Sequence, residues 1–260
     1  LVTVFATARL FGIASAGLAA ATLAIVCHEP GSPVYAWIVM LALLAGARRV
    51  LAGHGGLRFI LGGAGTGKSS VCAALAARHV ETLDMDARLY GSWHGRFDPV
   101  RHPANHAWSS AADPLAWQVA MEPEAFLAFH EAATAEALDL LADELRGADP
   151  AKALVVDGGF GSVAVVAGAV SVSSIVCLAL PPDLVATVWT GDEARRGFLD
   201  LVAGIEGVEN PVGRFLALDA AMSARMVADA HAAGVSVIER PPEEPVGLTA
   251  ARVAEVLGLT

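Results

Sequence analysis

The stretch Gly62-Gly63-Ala64-Gly65-Thr66-Gly67-Lys68-Ser69 constrains this chain more than any other, because it fits the pattern G-x-x-x-x-G-K-[ST] in full. Leu57 to Leu61 (LRFIL) ahead of it is a short apolar run of strand type, and Ser69 to Arg78 (SSVCAALAAR) after it is helix-forming. Glycines at 62, 63, 65 and 67 let the backbone curl so that several N–H groups point inward at phosphate oxygens. Lys68 would then reach the β- and γ-phosphates and the Ser69 hydroxyl would sit on Mg²⁺. The following helix, with Ser70 in its first turn, would offer its positive end to the anion. The segment from Gly62 to Ser70 therefore reads as a nucleotide cradle, against the plainer alternative of a glycine-rich turn that happens to precede a helix.

With 260 residues the chain is long enough for one large or two small domains. Hydrophobic residues make up 55% and charged residues 17%, which excludes a disordered chain. A formal net charge of −10 argues against a nucleic-acid partner, since no basic stripe exists to displace counterions from phosphates. Cys27, Cys72 and Cys177 all lie in apolar runs without metal-ligand spacing, and read as buried thiols of a reducing cytoplasm.

Residues 1–52 form a distinct hydrophobic segment. Leu10 to Cys27 is an uncharged run barely long enough to span a bilayer, and Val34 to Ala47 is shorter. Arg9 and the Arg48-Arg49 pair flank the two runs, as a hairpin with both ends on the cytoplasmic side would require. A flexible or non-native leader, a packed pair of accessory helices, and an export signal are the competing readings. Arg9, Arg48 and Arg49 against Glu29 leave the part before residue 57 at +2 and the remainder at −12. A membrane contact, if made, would use residues 10–47, and would tether a cytoplasmic protein to the inner face.

Beyond the loop, His79 to Leu83 reads as a second strand ending in Asp84-Met85-Asp86, at the edge where α/β sheets bind ligands. Alternation puts Asp84 and Asp86 on one side if the strand continues that far. Residues 87–122 are rich in aromatics, His, Pro and Gly, and with the helix that follows they form an insert over 87–150 suited to an organic substrate with polar groups. Trp93 and His106 are its candidate substrate contacts. His102 and His106 have i, i+4 spacing, but Pro103 and the lack of a third ligand argue against a metal pair.

Pro123 to Arg146 reads as a long amphipathic helix, with His130 and Glu131 on its surface. Ala153 to Val156 leads into Asp157-Gly158-Gly159, an apolar run followed by an acid that would orient Mg²⁺ or its water. Gly158 and Gly159 would let a substrate approach the backbone. Ser174 to Leu180 reads as a central strand, followed by a helix from Pro181-Pro182-Asp183 to about Trp189. Thr190 to Gly197 reads either as a surface turn or as a lid that closes Arg195 and Arg196 over a phosphoryl group. Arg214 to Ala233 is another helix, Val235 to Ile238 the last strand, and Thr249 to Leu257 a closing helix with Thr249 as N-cap. Arg240, just after that strand, either contacts an adenine or is solvated.

In this layout residues 57–260 resemble the P-loop small-molecule kinase group: nucleoside monophosphate kinases, shikimate and gluconate kinases, and chloramphenicol-type phosphotransferases. The resemblance implies a three-layer α/β P-loop NTPase fold with a five-stranded parallel sheet in the order 2-3-1-4-5, occupying residues 53–260. Asp84-Met85-Asp86 matches the Asp-x-Asp of shikimate-kinase-like members. By that likeness Asp84 helps hold Mg²⁺ with Ser69 and Asp157, and Asp86 orients or deprotonates an acceptor hydroxyl. Asp157 stands where the shikimate pattern has its first glycine, and the lid lacks the longer arginine array of nucleotide kinases. The implied activity is transfer of the γ-phosphoryl group of ATP, with Mg²⁺, to a small hydroxylated molecule, carried by Lys68, Asp86, Arg195 and Arg196. GTP is not excluded as donor. A nucleotide-dependent regulatory or membrane-associated switch is the alternative.

Overall fold

Phe59 and Leu61 point to one face of the central strand and Ile60 to the other, and that alternation divides the whole molecule. The structure is a computed structural model that describes residues 33–259, apart from positions 182, 183, 186, 192 and 242. Its strands are β1 (Leu57–Leu61), β2 (Glu81–Asp84), β3 (Leu154–Asp157), β4 (Ile175–Ala179) and β5 (Ser236–Glu239). All neighbouring pairs are parallel and the order is β2-β3-β1-β4-β5, as expected.

The helices are α1 (Pro33–Leu51), α2 (Lys68–Ala76), α3 (Pro103–Ser109), α4 (Pro114–Val119), α5 (Pro123–Leu145), α6 (Val163–Ala169), α7 (Glu193–Ala203), α8 (Pro211–Ala233) and α9 (Val246–Leu257). On one face of the sheet, Val71, Cys72 and Leu75 of α2 meet Ala250, Val253 and Leu257 of α9 over Ile60, Val155, Val176 and Leu178. On the other, α1, α5, α6 and α8 cover Phe59, Leu61, Val156, Ile175 and Cys177. Helices on both faces of a parallel sheet are the arrangement that buries both sides of its strands.

Several boundaries move from their expected positions for local reasons. His79 has a left-handed backbone (φ 65°), so it ends the turn after α2 and β2 begins at Glu81. Thr249 lies inside α9 rather than at its N-cap; it is fully buried and its hydroxyl donates to Glu244 Oε1 at 2.7 Å. Helix α6 was not expected, because its sequence VAVVAGA is rich in β-branched residues. Ser162 nonetheless caps it by accepting from Val165 N at 3.3 Å. Cys72 and Cys177 are buried free thiols, with burial pushing Cys177 up to about 11.

The second apolar run of the N-terminal segment lies in α1, where Leu44, Ala47 and Leu51 pack on the same core as α5 and α6. Among the described residues no helix is long and apolar enough to cross a membrane. The Leu10 to Cys27 run, Cys27 itself and the Pro182-Asp183 helix start lie outside the described residues.

Candidate functional site

The loop from Gly62 to Ser69 joins β1 to α2, and its glycines are required by contact as much as by conformation. Gly67 has φ 86°, and a Cβ there would collide with the Arg240 guanidinium. Gly63 is pressed against Ser223 of α8 in the same way. Thr66 Oγ1 donates to Gly63 O at 2.9 Å and closes the turn around Ala64 and Gly65. Gly67 is the N-cap of α2 and brings no side chain, so no side-chain cap covers the first N–H groups of the helix. Lys68 folds back over the loop, with Nζ donating to Gly62 O at 2.7 Å and Gly63 O at 3.0 Å. Burial lowers its pKa, and the fields of Asp86, Asp157 and Asp219 oppose that shift.

The three acids arrive from different elements. Asp157 ends β3 beside Ile60 and is 2% exposed. Burial and the neighbouring Asp84 raise its pKa, while the Ser69 hydroxyl and Lys68 pull it down. Its Oδ2 is buried without a hydrogen-bond partner. Asp84 pairs in register with Asp157 across β2 and β3, but is open to solvent. Oxygen ligands of this kind suit a hard cation, so Ser69 and Asp157, with Asp84 beside them, fit Mg²⁺ on the evidence of the unpartnered Oδ2.

Strand alternation does not carry Asp86 to the site. β2 stops at Asp84, whose Oδ1 accepts from Ala87 N at 3.0 Å and caps a helical turn over Met85–Ala87. Asp86 sits in that turn, and its Oδ1 accepts from Gly159 N at 2.9 Å. Gly158 (φ 74°) and Gly159 (φ 64°) are both left-handed; a Cβ on Gly158 would stand 2.7 Å from Asp86 Oδ2. Asp86 is reached by solvent, yet the protein around it raises its pKa by desolvation. Lys68 lowers it, Asp84 raises it and the Gly159 N–H lowers it.

The two arginines of the expected lid part company. Arg195, in α7, donates to Val188 O at 3.1 Å and places Nη1 3.0 Å from where a Cβ on Gly65 would lie. Arg196 donates instead to Thr190 O at 3.0 Å and lines a groove with Glu193, Gly197 and Asp200. Thr190 to Gly197 is not one turn: a 3-10 turn ends at Thr190 and α7 begins at Glu193.

Helix α8 supplies residues that sequence reading passed over. Asp219, 4% exposed, accepts from Trp189 Nε1 at 2.8 Å; burial raises its pKa against Trp189, Lys68 and Arg195. Ser223, one turn later, has a buried hydroxyl without a partner over Gly63. An acid and a serine four residues apart on a helix carry no motif, so only the packing of α8 against the loop could reveal them. Arg240 lies on the loop, with Nη2 donating to Glu244 O at 3.3 Å and a buried Nε that has no partner.

The insert is an ordered unit sewn to α5. Glu136 accepts from Ala104 N (2.9 Å), Asn105 N (2.8 Å) and Asn105 Nδ2 (2.9 Å). His102 Nδ1 accepts from Asp98 N, which leaves Nε2–H to donate to Asp139 at 3.1 Å. His102 is thus a structural residue, and among the described residues no group of three metal-ligating side chains occurs. Trp93 is fully buried in the core, where it cannot line a crevice. His106 is held by its Nδ1 to Phe97 O at 3.0 Å.

Tyr90 is the insert's exposed aromatic near the acids: it is 66% exposed and its ring stands 5.2 Å from Trp108, yet the protein packed around its hydroxyl, and then Asp86, raise its pKa. His130 is partly buried, with its ring turned inward. It packs between Phe126 (4.4 Å) and Phe129 (5.0 Å) against Gly161, its Nε2 is buried without a partner, and desolvation lowers its pKa to about 4. No family model matches this chain, and no curated protein matches it.

Proposed function

We propose that the chain is an ATP-dependent phosphotransferase acting on a hydroxyl of a small molecule. The observation that carries this reading is the meeting of two unlike half-sites at the carboxyl ends of β1, β2 and β3. A glycine-rich loop gathers Lys68, Arg195 and Arg240, and a carboxylate, Asp86, is fixed beside it by Gly159. Cations around a cradle of N–H groups suit the phosphates of a nucleotide, and a positioned carboxylate near Lys68 suits the incoming hydroxyl.

In the proposed reaction the acceptor oxygen forms a bond to the γ-phosphorus while the bond from that phosphorus to the ADP oxygen breaks. The hydroxyl proton passes to Asp86, and ADP leaves with the bonding pair. Lys68 exchanges the Gly62 and Gly63 carbonyls for phosphate oxygens, and Arg195 faces the charge that spreads over the transferring group. Bound Mg²⁺, held by Ser69 and Asp157 with Asp84 beside them, would supply further neutralisation of that charge. The raised pKa of Asp86 favours proton acceptance near neutral pH over a freely solvated carboxylate. A protein that consumes ATP in this way belongs in the cytoplasm.

The test is ADP release with Mg²⁺ and ATP across a broad panel of hydroxyl compounds. Turnover that rises with an acceptor supports transfer. Turnover unchanged by every compound overturns it in favour of a nucleotide-dependent switch.

A further inference from the structure

We propose that the acceptor is an uncharged or cationic hydroxyl compound and not an anion, an inference that rests on the phosphotransferase reading. The cations near the reacting centre are spent on one side of it. Arg195 lies against Gly65, Arg240 against Gly67, and Lys68 on the Gly62 and Gly63 carbonyls, so all three serve the loop where a triphosphate would lie.

Four arginines of the insert and of α8 are engaged by other groups. Arg88 pairs with Glu144 at 3.0 Å, and Arg101 with Asp139 (2.6 Å) and Asp143 (2.9 Å). Arg214 donates to Val119 O (3.1 Å) and Met121 O (2.8 Å), and Arg225 pairs with Glu131 and Asp229, each at 2.8 Å. Arg96 lies 5.9 Å from the centre of the buried Trp93 ring. What faces an acceptor is therefore Asp86, its neighbour Asp84, the left-handed Gly158-Gly159 turn and the open ring of Tyr90. Lys68 is the cation whose field acts most on Asp86. A phosphate or carboxylate on the acceptor would meet the like charges of Asp84 and Asp86 there, with the arginines of the described residues named above engaged by other groups, and like charges brought together repel. An ammonium group or a neutral ring meets no such penalty, and the face of Tyr90 attracts either.

The experiment uses the full chain and ATP labelled in its γ-phosphate. A low-molecular-weight extract of the source cells is passed over a strong anion exchanger at pH 7, and each fraction is offered as acceptor. At least ten-fold more label transferred to compounds of the unretained fraction is the expected result. Transfer confined to the salt-eluted fraction would overturn the charge inference and leave the phosphotransferase reading standing. Lys68-dependent release of labelled phosphate with no transfer to either fraction would overturn both. As a second readout, Tyr90→Ala raises the KM for the unretained acceptor about ten-fold with the KM for ATP unchanged; an unaltered acceptor KM would remove Tyr90 from the site.

Discussion

Gly159 N donates to Asp86 Oδ1 at 2.9 Å, a bond between residues 73 apart in sequence that fixes the carboxylate at the end of β2 against the turn after β3. It aims one oxygen at the backbone and leaves Oδ2 beside Gly158. Asp86→Asn keeps the acceptor oxygen for Gly159 but removes the proton-accepting charge. Transfer is expected to fall about 10²-fold or more, the usual range for a lost general base. ATP affinity, measured by calorimetry, stays within about two-fold; transfer at the wild-type rate would end the assignment.

Gly158→Ala tests the same turn from the other side. The left-handed backbone at 74° and the 2.7 Å approach to Asp86 Oδ2 both oppose a side chain. The expected loss of stability is about 1–3 kcal/mol, together with reduced transfer, read by thermal melting and by turnover.

Arg240 and Gly67 make a second such contact, on the nucleotide side. Arg240 has a buried Nε without a partner, so a phosphate or a base would complete its bonding. Arg240→Met, which keeps most of the apolar stem, is expected to weaken ATP binding by about ten-fold or more, the value of a charge-assisted hydrogen bond. Equal affinity would show that the guanidinium merely packs on the loop.

The pH dependence of stability has a distinct contribution from His130. Its pKa is about 4 in the folded chain against 6.5 ordinarily, because burial disfavours the imidazolium. The unfolded chain therefore binds more protons between those values, and the contribution is complete above pH 6.5, falls as pH drops toward 4, and falls no further below it. Its full size is about 3 kcal/mol as an upper bound. In melting curves from pH 7 to 4, wild type should lose stability relative to His130→Phe as pH falls, since the phenylalanine variant lacks this loss. Parallel curves would contradict the buried neutral imidazole.

Glu136 holds the insert to α5 through three N–H donors. Glu136→Ala leaves those donors unsatisfied in a buried place, at a cost of about 1–3 kcal/mol. The insert should then be cut by protease within residues 87–122 before the sheet is, whereas cleavage no faster than in wild type would make the network incidental.

The sheet was legible because its three inner strands are short apolar runs, and the loop marks which of them is central. Asp157, Gly158 and Gly159 were legible for the same reason, since they stand at the carboxyl end of a recognisable strand, and Lys68 was legible from the loop pattern that opens α2. Asp86 was singled out by a strand alternation the chain does not follow, since Asp84 caps a helical turn instead. Trp93 was misleading, because an aromatic in a Gly- and Pro-rich segment can equally be the core of that segment. Asp219, Ser223 and His130 lie on long helices whose periodicity shows only that one face is buried. Which polar residue on that face meets the loop depends on packing between elements far apart in the chain.

Calorimetric titration of wild type and Lys68→Ala with ATP and Mg²⁺ measures whether the loop from Gly62 to Ser69 binds nucleotide phosphates through Lys68. Binding should be weakened by about ten-fold or more in the variant, the loss of one charge-assisted contact, at an unchanged melting temperature. Binding of equal strength in the two proteins would contradict this role of Lys68.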